Sequence, residues 1–310
     1  MIGTMVLVIE VRQLTKRYGD TTAVDNLTFT VLPGRVTGFL GPNGAGKTTT
    51  LSMLVGLSAP TSGTAIIDGL PFAAHPRGLR YVGALLDARD VHGGRTAYDH
   101  LAALARSNRI GRNRVHQVLA EVGLADVAKR RVQNFSLGMK QRLGIAAALL
   151  GDPPVLLFDE PLNGLDPEGV KWVRGLFHRL AAEGRTVLVS SHLMSEMEHT
   201  ATDLVVVGRG RLIAAETLAQ FAARGTSPSV SVRTPDPSAL TGALTEAGAS
   251  VTQPADGSLS VSGMSASDIG DLAFAKSIPV HELTPRFASL EEAFMRVTGD
   301  SLEYRAGATR

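Results

Sequence analysis

The chain has 310 residues, with 31 Lys plus Arg and 29 Asp plus Glu, so its formal net charge is +2. Hydrophobic residues make up 44% of it, which excludes a largely disordered protein, and the small net charge gives no overall footprint for nucleic acid. Cysteine is absent, which excludes disulfides, zinc–thiolate sites and thiol nucleophiles and fits a reducing cytoplasm. The length predicts one large domain and one small domain.

The sequence has no apolar run near the roughly 20 residues that a membrane-spanning helix needs. Its best runs, Leu143–Gly151 and Pro153–Phe158, are short and separated by Asp152. The apolar start, Met1–Ile9, lacks a basic flank and predicts a first β-strand rather than a signal peptide. We therefore expect a protein that is soluble or is held at a membrane by a partner.

The first half of the chain begins with strand patterns. Alternating apolar residues at Val6–Val11 and Leu27–Val31 predict half-buried antiparallel strands. The compact apolar strand Val36–Leu40 then enters a glycine-rich turn, and Thr48–Leu57 has the periodicity of a helix.

Helices and strands alternate through the next part of the chain. Residues 95–150 are rich in Ala, Leu and Arg and predict a helical subdomain with breaks near Gly111 and Asn134. The alternation that follows predicts a parallel sheet covered by helices. Its predicted strands are Val155–Phe158, Thr186–Ser190 and Leu204–Val207, and its predicted helices are Lys171–Ala182 and Leu193–Ala201.

The pattern changes after Gly225, so we predict a domain over residues 1–225 and an accessory or regulatory α+β domain over residues 226–310. The second domain shows a βαββαβ order, which suggests a small ferredoxin-like sandwich. A capping box at Ser289 predicts a final helix that carries Leu290 to Val297. The other predicted elements are the strand Ser229–Arg233, a helix capped by Asp236, two strands around Asp256-Gly257, a helix opened by Ser265 and the strand Ile278–Leu283.

The glycine-rich turn matches the pattern G-x-x-x-x-G-K-[ST] of phosphate-binding loops. In such a loop, backbone N–H groups surround the phosphates, and the dipole of the following helix favours the same negative charge. Lys47 is predicted to bridge the terminal phosphates, and the Thr48 hydroxyl is predicted to ligate Mg²⁺. The loop consists of Gly41, Pro42, Asn43, Gly44, Ala45, Gly46, Lys47, Thr48 and Thr49.

An acidic pair ends the apolar strand Val155–Phe158. Asp159 is predicted to lie beside the phosphate loop and to hold Mg²⁺ through water. Glu160, one residue later, is predicted to accept a proton from the attacking water.

With these motifs, the chain resembles the nucleotide-binding subunit of an ATP-binding cassette (ABC) transporter over about residues 5–220. Phe135–Gln141 resembles the signature motif of that family. Asn163–Asp166 resembles the loop after the acidic pair, and Ser191-His192 resembles the switch histidine after the next strand. The motifs occur in the family's order, and together they are far more specific than any one of them.

The resemblance implies an α/β fold: a P-loop NTPase core with a parallel sheet, antiparallel N-terminal strands and a helical subdomain. It implies an ATPase that uses ATP and Mg²⁺, with Lys47, Glu160 and His192 as catalytic residues. It also implies that Tyr18 stacks on adenine and His192 contacts the γ-phosphate.

The resemblance further implies partners. Only one phosphate loop and one signature occur, and the family sandwiches ATP between the loop of one subunit and the signature of another, so Ser136 and Gly138 are assigned to the phosphate of a second subunit. A homodimer or a paired cassette is therefore implied, with separate transmembrane permease subunits and no nucleic acid. The implied location is cytoplasmic, at the inner face of the cell membrane.

Three residues depart from the family pattern. Asp87 stands where glutamine usually touches Mg²⁺, and a carboxylate there would repel the γ-phosphate unless the metal or water lies between them. Leu137 replaces a signature glycine, and Met139 replaces the signature glutamine. Such variants resemble a branch of exporter ATPases linked to antibiotic efflux, so we expect the engine of a drug, antibiotic or other hydrophobic-compound exporter.

Three alternatives belong to other classes. A soluble ABC protein that acts on DNA or ribosomes would carry two cassettes or long inserted coiled coils between Lys47 and Asp159, and the sequence has neither. An importer ATPase often carries a substrate-sensing extension, whereas the signature and the short extension here favour export. A non-catalytic regulator conflicts with the intact Lys47, Asp159, Glu160 and His192.

Overall fold

The computed structural model describes residues 8–225, 229–254 and 256–286, together with Phe294. The chain divides into two compact units, with a boundary after Leu218, and each is described by itself. The elements of the larger unit are, in chain order, β1 (Ile9–Tyr18), β2 (Thr21–Val31), β3 (Arg35–Leu40), α1 (Lys47–Leu54), β4 (Ser62–Ile67), β5 (Val82–Leu85), α2 (Ala97–Ser107), α3 (Arg112–Glu121), α4 (Leu137–Leu149), β6 (Val155–Asp159), α5 (Pro167–Ala182), β7 (Thr186–Ser191), α6 (Met194–Glu198), β8 (Asp203–Gly208) and β9 (Arg211–Thr217).

The larger unit is built on a six-stranded sheet in the order β5-β6-β7-β3-β8-β9. Its strands are parallel except for the antiparallel pair of β8 and β9 at one edge. Every residue of β6 and β7 is buried, as expected for parallel strands covered on both faces. The carboxyl ends of β3 and β6 therefore meet at one edge of the sheet, where α/β proteins bind ligands.

A second sheet, in the order β2-β1-β4, is antiparallel throughout. Its inner face joins the same hydrophobic core as the parallel sheet, where the rings of Phe29 and Phe39 lie 5.5 Å apart. The predicted antiparallel pairing is confirmed, but both strands are longer than the sequence pattern. Register shifts in β1 between Val11 and Arg17 break the two-residue alternation, so the pattern stops before the strand does.

Three helices, α2, α3 and α4, form the helical segment between β5 and β6. Thr96 caps α2 by accepting a hydrogen bond from the Asp99 N–H, and Ser136 caps α4 by accepting one from the Met139 N–H. The chain leaves the helical conformation at residues 108–111 and again between residues 122 and 136, except for two short 3₁₀ turns. These interruptions contain the breaks predicted near Gly111 and Asn134.

The smaller unit begins at Ala219, inside helix α7 (Leu218–Gly225), and this helix ends at the boundary predicted from the sequence. The described strands of the smaller unit form one antiparallel sheet, in the order β11 (Ser250–Thr252), β12 (Leu259–Ser262), β10 (Ser229–Arg233) and β13 (Glu282–Arg286). Asp236 and Ser265 cap its two helices, which pack on the sheet around a separate apolar core. The elements are β10 (Ser229–Arg233), α8 (Pro237–Glu246), β11 (Ser250–Thr252), β12 (Leu259–Ser262), α9 (Ala266–Ala275) and β13 (Glu282–Arg286).

Some predicted bounds differ from the structure. The last strand begins at Glu282 rather than Ile278, because the Ile278 N–H still donates to the Ala273 carbonyl at the end of α9 and Pro279 has no N–H for a strand ladder. The predicted start of the first strand lies outside the described residues, as does the predicted helix over residues 290–297 apart from Phe294. Among the described residues, no helix combines the length and the apolar character needed to cross a membrane.

Strands β4, β5 and β9 were not among the predicted elements. In β5, Gly83 and Ala84 give no alternation of apolar and polar side chains, so the sequence pattern does not predict a strand there. A Cβ atom at Gly83 would lie 2.0 Å from the backbone oxygen of Ala148 in α4, so the packing of this strand on α4 requires glycine.

Gly83→Ala is therefore expected to lower the free energy of unfolding by about 1–3 kcal/mol, through overpacking against a backbone group that cannot rotate away. Urea denaturation measures this change. Gly175→Ala in α5 is the matched control, since Gly175 has open space around its Cα and alanine there is expected to stabilise by about 0.5–1 kcal/mol. Equal stability of the two variants would contradict the close packing of β5 on α4.

Candidate nucleotide-binding site

The predicted phosphate loop connects the end of β3 to the start of α1 and encloses a cavity of about 340 Å³. Gly46 has a φ of +95°, and a Cβ atom there would lie 2.5 Å from the backbone oxygen of Ala23. Both the left-handed conformation and the close approach require glycine at this position. Glycine therefore fixes the shape of the loop, which is closed by a hydrogen bond from the Ala45 N–H to the Pro42 carbonyl at 3.1 Å.

Lys47 is the buried charge of the loop, with 6% of its surface exposed. Its ammonium donates to the carbonyl oxygens of Gly41 at 2.6 Å and Pro42 at 3.3 Å, and it lies 3.6 Å from a carboxylate oxygen of Glu160. Burial lowers the pKa of Lys47, while the charges of Glu160 and Asp159 oppose that shift. The structure thus brings Lys47 and Glu160, two of the predicted catalytic residues, into ion-pair distance of each other.

Asp159 is held by hydroxyl groups from two different elements. Thr48, in the first turn of α1, donates to one carboxylate oxygen at 2.5 Å, and Ser190 in β7 donates to the other. Asp159 is 7% exposed, so these hydrogen bonds replace the water that a carboxylate would otherwise need. The predicted pair of oxygen ligands, Thr48 and Asp159, therefore lies at one point beside the loop.

Glu160 begins the turn after β6 with a φ of +47°, a conformation rare outside glycine. Its backbone N–H donates to the Ser190 hydroxyl at 3.0 Å, and its carboxylate lies 2.9 Å from Nδ1 of His192. The hydrogen bond to Ser190 in β7 therefore holds this strained turn in place. Glu160 and His192, both predicted to be catalytic, are in direct contact.

A second cavity of about 630 Å³ adjoins the loop and shares Thr48 and Glu160 with it. Asp87 lines this cavity from the segment after β5, so it lies on the predicted side of the site. Its carboxylate is bound by the guanidinium of Arg89, whose hydrogen bonds hold the pKa of Asp87 below its usual value.

The remaining predicted residues lie at two other places. Tyr18 ends β1 with 54% of its surface exposed, and the Lys16 ammonium lies 4.9 Å from the centre of its ring. Ser136 and Gly138 begin α4, and neither lines the two cavities around the phosphate loop. Within one subunit the structure therefore does not bring them to Lys47.

Two residues of the site were missed by the sequence predictions. Ser190 was noted only as the end of a strand, although its hydroxyl contacts both Asp159 and Glu160. Gln141 was noted only as part of the signature, yet it is 6% exposed, lines the larger cavity and donates to the Glu160 carbonyl at 3.4 Å. A polar residue inside an otherwise apolar strand or helix face was the available signal in both cases.

Comparison with known proteins agrees with this arrangement. Residues 24–163 match a family model described as ABC transporter, and residues 228–291 match a domain of unknown function. The bacitracin transport ATP-binding protein BcrA of Bacillus licheniformis is 44% identical over 212 residues, which cover 67% of this chain and 69% of that protein. The Nod factor export ATP-binding protein I of Burkholderia orbicola (strain AU 1054) is 35% identical over 303 residues, which cover 95% of this chain and 98% of that protein.

A solved structure described as an ATP-binding subunit of an ABC transporter aligns with 70% of this chain and 92% of its own. Its TM-score is 0.64 and its sequence identity 28%. The parallel sheet, phosphate loop and acidic pair define a P-loop nucleotide-binding protein. With these relatives, the chain belongs to the family of ABC transporter ATP-binding proteins, and it binds and hydrolyses ATP. The predicted family, fold class and ATPase activity are confirmed.

Ser190→Ala is expected to lower the rate of ATP hydrolysis at least tenfold, because the turn at Glu160 and the carboxylate of Asp159 both lose a hydrogen-bond partner, at a cost of about 1–3 kcal/mol. Phosphate release under saturating ATP measures the rate. Ser191→Ala is the matched control, since the Ser191 hydroxyl binds Leu193 and Glu196 instead. Equal hydrolysis rates for the two variants would exclude a positioning role for Ser190.

Proposed function

We propose that this protein is the ATPase engine of an exporter, works as a dimer of cassettes and powers separate transmembrane permease subunits. One observation supports the catalytic part of this proposal most strongly. The catalytic residues come from three separate segments of the chain, yet each lies within hydrogen-bond or ion-pair distance of another member of the set or of a shared partner, Ser190. They are Lys47, the consecutive pair Asp159 and Glu160, and His192.

In this proposal the phosphate loop, residues 41–49, binds the phosphates through its N–H groups. Lys47 exchanges its present carbonyl partners for the terminal phosphates, which match its charge better. Tyr18 stacks on the adenine ring, a role that its exposed ring at the end of β1 leaves open to it.

The residues beside the loop fit Mg²⁺. Thr48 and Asp159 would hold it, since their oxygen atoms are ligands of the kind that Mg²⁺ prefers. When bound, Mg²⁺ neutralises charge on the phosphates. Among the described residues, no group of three or more His, Asp or Glu side chains is arranged to hold a metal without such help. In this proposal Asp87 faces the ion through water.

Glu160 is proposed as the general base for the attacking water, and His192 as the residue that orients its carboxylate and contacts the γ-phosphate. The 2.9 Å contact between His192 and Glu160 supports this pairing, since a base needs a fixed orientation toward the proton it accepts.

A second subunit is part of the proposal because Ser136 and Gly138 are not among the residues that line the two cavities of their own subunit, although Leu137 between them lines the larger one. They begin α4, and a helix N-terminus favours negative charge. We propose that this helix end contacts the γ-phosphate bound by the other cassette.

Export is proposed from the names of the relatives, which refer to bacitracin transport and Nod factor export. These names do not favour an importer or a soluble non-transport protein. The cargo is proposed to be a drug, an antibiotic or another hydrophobic compound. The predicted domain over residues 226–310, which overlaps the smaller unit, is proposed to be accessory or regulatory.

Glu160→Gln tests the chemical step. It keeps the size of the side chain and removes the basic site, so we expect ATP affinity near that of the unmodified protein and hydrolysis slower by about 10²–10⁴-fold. A longer-lived ATP-bound dimer is expected as well, visible in light scattering.

Lys47→Ala is the contrasting variant and is expected to lose ATP affinity itself, because the phosphate charge is then unmatched. Fluorescent-nucleotide titration separates the two effects. Full hydrolysis by the Glu160→Gln protein would remove Glu160 from the mechanism and leave His192 as the main candidate.

The transport part has its own test. The affinity-tagged chain expressed alone is expected in the supernatant after ultracentrifugation, and in the membrane fraction when its host's permease is present. After mild detergent extraction it should carry a polytopic membrane protein whose addition changes the ATPase rate. Hydrolysis without any such association would leave the ATPase intact and contradict the exporter.

A further inference from the structure

The larger cavity beside the phosphate loop has an unusual charge balance for a site that receives a polyphosphate. Four carboxylates line it, and Arg89 is the single cation among its lining residues in the described part of the chain. Lys47 belongs to the adjoining loop cavity. The four carboxylates belong to Asp87, Asp90, Asp159 and Glu160.

Two of these four carboxylates already have partners inside the site. Asp159 accepts from Thr48 and Ser190, and Glu160 contacts Lys47 and His192. Asp87 lines the same cavity and has no hydrogen-bond or ion-pair partner among the described residues of the phosphate loop. A negative charge at this place would oppose the approach of a terminal phosphate.

Arg89 forms an ion pair with the carboxylate of Asp87. Its Nε lies 3.0 Å from one carboxylate oxygen of Asp87, and its Nη2 lies 2.9 Å from the other, which is the forked geometry that guanidinium and carboxylate groups favour. The backbone N–H of Arg89 also donates to Asp87 at 2.8 Å, so the two residues form a preorganised local turn. Because guanidinium groups stay protonated, the pair is neutral at any physiological pH.

We propose that Arg89 compensates the charge of Asp87, so that the pair does the work of a neutral side chain and the terminal phosphate of ATP can approach this wall of the cavity. Arg89 is thus a positioning residue for phosphate binding. This inference rests on the proposed placement of the terminal phosphates beside Lys47.

The pair has two parts that substitutions can separate. Arg89→Ala removes the cation and leaves Asp87 as an uncompensated charge. Asp87→Asn, added to Arg89→Ala, removes that charge and keeps the oxygen that accepts from the backbone N–H of residue 89. If charge matters, the second substitution rescues the first.

The experiment is a titration of the full-length protein with ATP and with AMP in EDTA, at about 0.01 M and about 1 M salt, where the screening lengths are about 30 Å and 3 Å. For Arg89→Ala we expect ATP to bind on the order of tenfold more weakly at low salt, with little change for AMP and a smaller defect at high salt. The Asp87→Asn/Arg89→Ala double variant is expected to recover most of the ATP affinity.

Two controls make the result specific. Arg12→Ala removes another exposed arginine that pairs with a carboxylate two residues away, Glu10, outside both cavities, and it should leave ATP binding unchanged. Lys47→Ala tests the placement of the phosphates. If Lys47→Ala leaves ATP affinity intact, the proposed placement is wrong.

If Lys47→Ala weakens ATP binding and Arg89→Ala does not, the charge-compensation role is overturned while the proposed function stands. A double variant as weak as Arg89→Ala, or an equal loss for ATP and AMP at both salt concentrations, would assign Arg89 to loop structure instead and would also overturn the proposal.

Discussion

The carboxylate of Asp159 joins the parts of the site that the chain brings from separate positions. It ends β6, and it accepts hydrogen bonds from Thr48 at the start of α1 and from Ser190 in β7. Because this carboxylate is almost fully buried, moving either element away would leave one of its oxygens without a hydrogen-bond donor, at a cost of about 1–3 kcal/mol. The same serine holds the backbone of Glu160, so the order of three strands fixes the geometry of the acidic pair.

The loop on the other side of this carboxylate depends on a second electrostatic arrangement. Lys47 is buried among carbonyl oxygens and lies close to Glu160, so its charge is balanced before a phosphate arrives. Binding of a polyphosphate then exchanges partners around a fixed ammonium, and little of the loop needs to be rebuilt. Because folding has already ordered these side chains, ATP binding does not carry the entropy cost of ordering them.

The signature helix α4 contacts the acidic turn of its own subunit. Ser136 caps this helix, and Gln141, about one and a half turns later, donates to the Glu160 carbonyl. A displacement of the start of α4 would therefore also move Gln141, which contacts the turn that carries Glu160. In a dimer of cassettes, this connection would link the phosphate bound by one subunit to the acidic turn of the other.

The sequence by itself determined the features that depend on local pattern. The strand–glycine-loop–helix unit, the acidic pair and the caps at Ser136, Asp236 and Ser265 follow from spacing and residue type, because each is set by neighbours a few residues away. The alternation of strands and helices predicted the parallel sheet, although its strands pair residues far apart in the chain. The family followed from the order of the motifs.

Only the tertiary structure decided which side chains hold these features in place. Strand β5 has no alternation and is defined by the packing of Gly83 on α4, and the roles of Ser190 and Gln141 arise from contacts across strands and helices. The pairing of Asp87 with Arg89 depends on rotamers that no spacing specifies. Contacts of this kind join residues that are far apart in the chain or depend on side-chain rotamers. The local spacing of apolar and polar residues does not specify which of them will meet.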